Sequence, residues 1–542
     1  MNCYKLLFAS LSLVITFAGS AFALSSPNVP LDSPIYLYIE KLSGFGLIVS
    51  DFKGIRPYSR SEVARLLKEA DERLESGDYP PLAKELVAML KRLIPREAAL
   101  YSEPESAPFF DYNPVSNARL RYVYLDGAPR NYSRPVLDTG GDWIFPLPGS
   151  RPDQIARPQQ RGTEGTPLFE NNEGVVYGDG HNLEARWSSE AYMGTVASAL
   201  VEPLLLGSSA EDASRVRLNK GYLKFGGGAL ELELGRDANW LGLGYRGAIT
   251  LTNNPPNFTG IKISSPEPFT SRYLWDLKYD LIFSEFEKTV TNGVERQPFF
   301  YASKLSFKPY KNMEFGLNLG RQAGGRGVDN SLSDSLHGLW GATHSDNSNS
   351  LGGLELRFRF PWLRNSEIYG ELSGEDRAGA WPKAQSYIAG FFVPMITSSG
   401  RDDLRFEYFR GHQILYTNGT FPNGYLYHNF PVGDSQGGAT QDFFLRYSHW
   451  FSARNTVALE CFRTTRGDIG LVNVDSMGNY DPSGVLQAAE RTVGLRAFWD
   501  LPVYDDWNAT LRYGWETIAN WNLTPGVSKT NHILGVDLSY RY

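Results

Sequence analysis

The stretch that decides the fold is the last one, His532 to Tyr542, "HILGVDLSYRY". Leu534, Val536, Leu538, Tyr540 and Tyr542 are apolar or aromatic, while Gly535, Asp537, Ser539 and Arg541 between them are small or polar. Strict alternation is the mark of a strand with one apolar and one polar face.

The same beat recurs upstream. "ARLRYVYL" sets Leu120, Tyr122 and Tyr124 against Arg119 and Arg121, and "LELRFRF" sets Leu354, Leu356, Phe358 and Phe360 against Glu355, Arg357 and Arg359. In "DDWNATLRYGWE", Trp507, Ala509, Leu511, Tyr513 and Trp515 alternate with Asn508, Thr510, Arg512 and Gly514. A soluble sandwich also alternates, but it rarely carries so many ten-residue segments with Trp and Tyr near the ends of the apolar face. Drawn wherever the alternation holds between residues 117 and 542, the strands number about eighteen. Long connections (126–180, 237–258, 322–351, 411–439 and 465–488) follow odd-numbered strands and short ones follow even-numbered strands, as expected of an outer-membrane barrel with both termini in the periplasm. The expected fold is therefore an all-β transmembrane barrel. The final strand closes it, and the terminal Tyr542 is similar to the end signature read by the barrel assembly machinery.

Composition agrees. The chain has 30 Tyr, 31 Phe and 12 Trp among 542 residues, yet its mean hydropathy is only −0.32. Such a balance suits an apolar, lipid-facing exterior around a polar lumen. The formal net charge of −7 makes no case for nucleic acid or for a polybasic membrane anchor. Residues 1–23 combine Lys5, an apolar run from Leu6 to Phe17 and the small pair Ala21 and Ala23, which reads as a secretory signal peptide. Cleavage there leaves Cys461 alone, so no intrachain disulfide is expected.

Residues 24–110 differ in texture and read as a small helical module on the periplasmic side. Ser59 and Glu62 have capping-box spacing ahead of Val63, Leu66, Leu67, Ala70 and Leu74. A second helix carries Leu82, Leu86, Leu90 and Leu93 between Pro81 and Pro95, and a shorter one, "PIYLYIEKLSGFGLI", precedes both. A module this size has too little core of its own and is expected to dock on something larger.

Two motifs invite an enzymatic reading. "GLGYRG" (Gly242, Gly244, Gly247) fits a dinucleotide fingerprint, but β-branched residues and paired prolines follow where a helix is needed. "GDSQG" (Gly433 to Gly437) fits a nucleophile elbow, with His428 nearby, but its flanks are a loop and a barrel strand. The seven His show no metal-ligand spacing. No catalytic residue, metal or cofactor is expected.

Less generic is the run from Arg236 to Asn254, read as an external loop holding Arg236, Asp237, Trp240, Tyr245, Arg246, Asn253 and Asn254. Planar polar groups beside aromatic faces suit a sugar, whose hydroxyls need donors and acceptors and whose C–H faces pack on rings. They equally suit a structural rim whose Arg and Asp pair with each other. A second loop places His412, Tyr416, Tyr425 and Tyr427 among small amides, consistent with a polar polymer or with an interfacial aromatic girdle.

With these motifs in view, the chain resembles the Wzi-type capsule assembly proteins of the Gram-negative outer membrane. The resemblance rests on "PLDSPIYLYIEKLSGFGLI", on "GYLKFGGGALELELGRDANWLGLGYRGAITLTNN" followed by "IKISSPEPF", on "IYGELSGEDRAG" and on the terminal strand. It implies a barrel of about eighteen strands with an amino-terminal helical part, acting as an outer-membrane lectin that helps hold capsular polysaccharide at the cell surface. Where family members often carry G-P-G, this chain has Gly242, Leu243 and Gly244. The amino-terminal part also resembles an S-layer-homology-like module, which implies a grip on peptidoglycan. The rival from another class is a porin, whose open lumen would be lined by residues such as Lys278, Arg357 and Arg359.

Overall fold

The computed structural model describes residues 24–134, 160–210, 213–271, 275–291, 293–328, 348–378, 381–418, 421, 423–467, 472–475 and 481–541. The expected signal peptide, Tyr542 and the middle of the 126–180 connection lie outside the described residues.

Eighteen antiparallel strands form a closed barrel. In chain order they are β1 (Phe110–Asp126), β2 (Gly180–Met193), β3 (Ala197–Ser208), β4 (Arg215–Gly227), β5 (Leu230–Asp237) and β6 (Phe258–Ser264). Then come β7 (Trp275–Glu285), β8 (Val294–Tyr310), β9 (Met313–Arg326), β10 (Ser348–Phe360), β11 (Ser366–Ala378) and β12 (Trp381–Val393). The last six are β13 (Asp402–Gly411), β14 (Thr440–Ser452), β15 (Asn455–Arg466), β16 (Glu490–Tyr504), β17 (Trp507–Ala519) and β18 (Ser528–Arg541). Closure comes where β18 pairs with β1, from Asn117 opposite Arg541 to Asp126 opposite His532. Closing the sheet leaves no edge strand with unpaired backbone groups, which is what hydrocarbon demands. The expected alternation of long and short connections is broken in places: residues 209–214 alone join β3 to β4, residues 265–274 join β6 to β7, and Ala378 of β11 pairs directly with Trp381 of β12.

The terminal strand behaves as its periodicity requires. Leu534 and Val536 are exposed on the outside, and Asp537 and Ser539 are buried inside. Asp537 accepts both Nε and Nη2 of Arg121, each at 2.7 Å. A rim of exposed aromatics (Phe109, Tyr112, Tyr310, Trp362 and Tyr504) surrounds the mouth formed by the short turns, the place where amphipathic rings favour a membrane interface.

That mouth is filled by the amino-terminal segment. Its helices are α1 (Ile35–Gly44), α2 (Arg60–Ser76), α3 (Pro81–Leu93) and α4 (Pro95–Leu100). Ser59 caps α2 by accepting from Glu62 N at 3.1 Å, but Glu62 turns its carboxylate to Arg65 (2.7 Å) instead of completing a capping box. Pro95, expected as a stop, instead opens α4, because proline at the first turn lacks only an N–H that would have been unpaired. Leu42, Val63, Leu66, Leu86 and Leu90 form one core that also takes in Trp450 and Ala453 of the barrel.

Below the helices, residues 24–59 reach into the lumen and meet inward-facing charges. Asp51 accepts from Arg357 Nη1 at 3.1 Å and from Arg359 Nη2 at 3.0 Å, with Lys308 Nζ 3.7 Å away. Lys53 reaches Glu367 (2.7 Å), and Arg405 reaches Glu40 (2.7 Å). Arg357, Arg359 and Lys278, which a porin would offer to a permeant solute, are all buried. Lys278 Nζ lies over the Tyr58 ring at 5.1 Å.

Two outcomes check this packing. Purified protein in planar bilayers shows no conductance of the porin order. Asp51→Ala removes the carboxylate shared by two buried guanidinium groups, leaving them Glu314 and Glu367, and costs about 3 kcal/mol, read as a lower thermal midpoint in detergent.

Candidate functional site

At the opposite mouth the connections between β5 and β6 and between β13 and β14, with residues 160–178, turn inward. The loop between β5 and β6 descends until Trp240 and Leu241 pair with Arg56 and Ile55 of the plug. Gly242 N donates to Gly54 O at 2.9 Å, and Arg56 Nη2 donates to Gly244 O at 2.9 Å. A Cβ on Gly242 would fall 2.3 Å from that of Ala248, and one on Gly247 would fall 2.0 Å from Asp434 Oδ2. The glycines of "GLGYRG" therefore serve close packing of a loop inside a barrel.

The connection between β13 and β14 lies on top of this loop and is bonded to it. Tyr416 Oη donates to Ile249 O (2.6 Å) and accepts from Asp434 N (2.7 Å). Tyr425 Oη donates to Thr250 O (3.2 Å), and Asn254 Nδ2 donates to Pro431 O (3.0 Å). Residues 160–178 make the third layer, where Asn253 Nδ2 donates to Asn171 O (3.0 Å) and Glu173 N donates to Asn253 O (2.7 Å). All three layers are deeply buried, and they leave the lumen filled from both ends.

Most of the residues singled out from sequence are thus spoken for by protein. Asp237 accepts from Asn28 Nδ2 at 2.8 Å. Trp240 stacks under the Arg56 guanidinium at 4.5 Å. Tyr245 lies under Arg405 at 4.6 Å and stacks on Phe444 at 5.9 Å. Arg246 pairs with Asp442 at 2.7 Å and Glu170 at 3.1 Å. His412 is buried, with Nδ1 accepting from Ile414 N at 3.3 Å. Tyr427 stacks on Phe258 at 4.3 Å. The loops read as external carry these groups inward, because a barrel this wide must be filled and planar side chains with several donors fill it while keeping buried backbone satisfied. Arg236 differs: it is only half-buried at the end of β5.

Arg236 opens on a cleft of about 800 Å³ at this mouth. Residues 128–131, the end of the 160–179 segment, the start of β4, Pro256 and the run His428, Asn429 and Phe430 supply its walls. His428 and Asn429 are exposed and sit in the left-handed region, with φ of 50° and 67°, a conformation that turns both side chains out of the packed loop at some backbone cost. Of the groups lining the cleft, the sequence reading singles out Arg236 as a glycan contact and places His428 and Asn429 in the second loop suited to a polar polymer. Arg215 and Arg217 escaped because a β-strand with alternating arginines looks like any lumen-facing strand.

The motif "GDSQG" sits in the inward loop without a hydrolase's geometry. Ser435 Oγ accepts from Gln436 Nε2 at 3.2 Å, whereas His428 Nδ1 lies 2.9 Å from Glu287. Among the described residues no group of His, Cys, Asp or Glu could hold a metal ion, and no helix is long and apolar enough to cross a membrane.

A model of the family "Capsule assembly protein Wzi" matches residues 151–533. The chain belongs to that family. Over 200 residues it is 24% identical to an uncharacterized 55.8 kDa protein in the cps region of Klebsiella pneumoniae, a match that takes in 34% of this chain and 38% of that relative's length. Its fold is similar to that of Wzi from Escherichia coli, an outer membrane protein involved in group 1 capsule assembly and a carbohydrate-binding β-barrel. That likeness has a TM-score of 0.66 at 16% identity and covers 96% of this chain and 100% of the other. The Wzi family's barrel thus carries here a filled lumen and one broad cleft at the mouth away from the helices.

The stacked loops have their own pH signature. Burial, with Asp442 nearby, pushes the Asp434 carboxyl up from 3.8 to about 7. Between those two values the unfolded chain releases this proton and the folded chain keeps it, so the contribution to stability falls as pH rises through the window. Asp434→Asn flattens that part of a stability-against-pH curve in detergent. Tyr416→Phe leaves Ile249 O and Asp434 N without their shared partner and costs about 1–3 kcal/mol, measured by thermal unfolding.

Proposed function

We propose that this protein is a non-enzymatic outer-membrane barrel that binds surface polysaccharide at the mouth opposite its helices and helps keep that polymer on the cell. The observation that carries the reading is the open cleft of about 800 Å³ on a barrel whose lumen is otherwise packed. A passage has nowhere to run, whereas a polymer lying across the mouth finds amides, guanidinium groups and ring faces together. Family membership and the carbohydrate-binding description of the Escherichia coli barrel support it.

In this reading the helical end faces the periplasm, the apolar exterior meets outer-membrane lipid, and the closing strand carries the signal for barrel assembly. The glycan contact of the sequence reading is kept for Arg236 and extended to the cleft around it. Asp237, Trp240, Tyr245, Arg246, Asn253, Asn254, His412, Tyr416, Tyr425 and Tyr427 support that surface from beneath. A peptidoglycan grip by the helices gains nothing from the packing, since their apolar faces are spent on each other and on the barrel.

The decisive measurement is the partition of surface polysaccharide between cells and medium with and without the protein. Polymer made in equal total amount but shed into the medium when the protein is missing bears the reading out. Unchanged retention overturns it.

A further inference from the structure

On the outside of the barrel the apolar row of each strand runs away from the short turns, and on two neighbouring strands it ends in arginine. Arg463 follows the exposed Leu459 and Cys461 along β15, and Arg491 precedes the exposed Val493 and Leu495 along β16. Phe462, Thr464, Thr492 and Gly494 between them are buried, which puts both arginines on the lipid side of the sheet.

Register brings the two together. Cys461 stands opposite Leu495, Arg463 opposite Val493 and Thr465 opposite Arg491. The arginines are therefore diagonal neighbours on one face, with Cβ atoms about 7 Å apart. Both are exposed, and among the described residues neither forms a salt bridge or a side-chain hydrogen bond. Near the same end of the barrel, by contrast, Arg236 donates to Thr259 and Leu218 O, and Arg321 Nη1 donates to Ser350 Oγ at 2.6 Å. Asp468, in the connection that leaves β15, lies outside the described residues. Two like charges side by side repel unless an anion sits between them.

The strand sets their height. From Val503, beside a short turn, to Arg491, at about 3.3 Å per residue and a tilt of roughly 40°, the outer face climbs about 30 Å. The apolar band of an outer-membrane barrel is about 25 Å tall. The pair thus stands just past the edge of the hydrocarbon, at headgroup level. Beneath it Leu445, Leu459, Val493, Leu495 and Trp499 are each 38–46% exposed and make an apolar strip. Gln441, Thr465 and Arg491 stand level with one another across three strands, which adds an amide and a hydroxyl beside the charges.

We propose that Arg463 and Arg491 seat the phosphate of a glycolipid in the outer leaflet, with its acyl chains lying on the strip beneath. One phosphate accepts from two guanidinium groups at once and cancels their repulsion. The strip gives acyl chains an apolar surface that a free phosphate cannot use, and Gln441 and Thr465 offer partners to sugar hydroxyls. The seat takes the orientation proposed above, with the helices in the periplasm, and it is separate from the polysaccharide cleft.

The test uses full-length protein in detergent, with bound lipid counted by native mass spectrometry. Four probes are titrated: bisphosphorylated lipid A, lipid A with both phosphates removed, phosphatidylglycerol and inorganic phosphate. Removing the phosphates weakens lipid A binding by about tenfold or more, phosphatidylglycerol binds more weakly than lipid A, and inorganic phosphate does not displace it. Arg463→Gln combined with Arg491→Gln disturbs no contact of the protein and lowers lipid A affinity to that of the dephosphorylated form. Lys311→Gln, at the rim of the short turns, removes a charge elsewhere and leaves the affinity unchanged. Lipid A that fails to bind, or that binds the double variant as tightly as the parent, overturns the proposal, and so does an equal loss in Lys311→Gln. Displacement by inorganic phosphate reassigns the pair to a free anion and overturns the lipid. Tighter binding of phosphatidylglycerol overturns the glycolipid and, with it, the assignment of this edge to the outer leaflet.

Discussion

The structure turns on the problem of charge inside a closed barrel. An eighteen-stranded sheet has an apolar outside because it meets hydrocarbon, and its inward face is left to polar residues. If the lumen held water, those residues would be solvated as in a porin. Here it is filled by protein, so inward cations are mostly met by an anion, with Lys278 instead over the Tyr58 ring. Asp51 does this for Arg357 and Arg359, Asp537 for Arg121 and Glu355 for Lys304. Plug and barrel are therefore parts of one ionic network: strands present charges that the amino-terminal segment completes.

The same requirement shapes the other mouth. Loops long enough to project outward instead descend and hand their donors and acceptors to one another, as Tyr416 does between Ile249 O and Asp434 N. Among the described residues, filling from both ends leaves a surface and no passage. Against that economy, arginines without carboxylates stand out. At the rim water pays part of their solvation, so Arg215 can remain unpaired there where Arg357 could not.

The run from Arg236 to Asn254, read from sequence as an external loop, takes on a different role in this light. Its Trp240 meets the plug and its asparagines meet the other loops, so it joins the two halves of the filling.

Much of this was legible in the chain before any coordinates. Period-two alternation gave about eighteen strands between residues 117 and 542, because facing lipid on one side is a local demand that each residue meets alone; the first strand begins earlier, at Phe110. The amphipathic faces of α2 and α3 were legible for the same reason. What stayed hidden depends on distance across the barrel. Which of two like-looking arginines finds a carboxylate is decided by a partner hundreds of residues away, as Arg357 finds Asp51 and Arg215 finds none among the described residues. Nor does a long loop rich in Asn and Tyr announce whether it rises into solvent or sinks into the lumen. That choice belongs to the cavity left by the other elements, and it is settled where their unpaired groups converge.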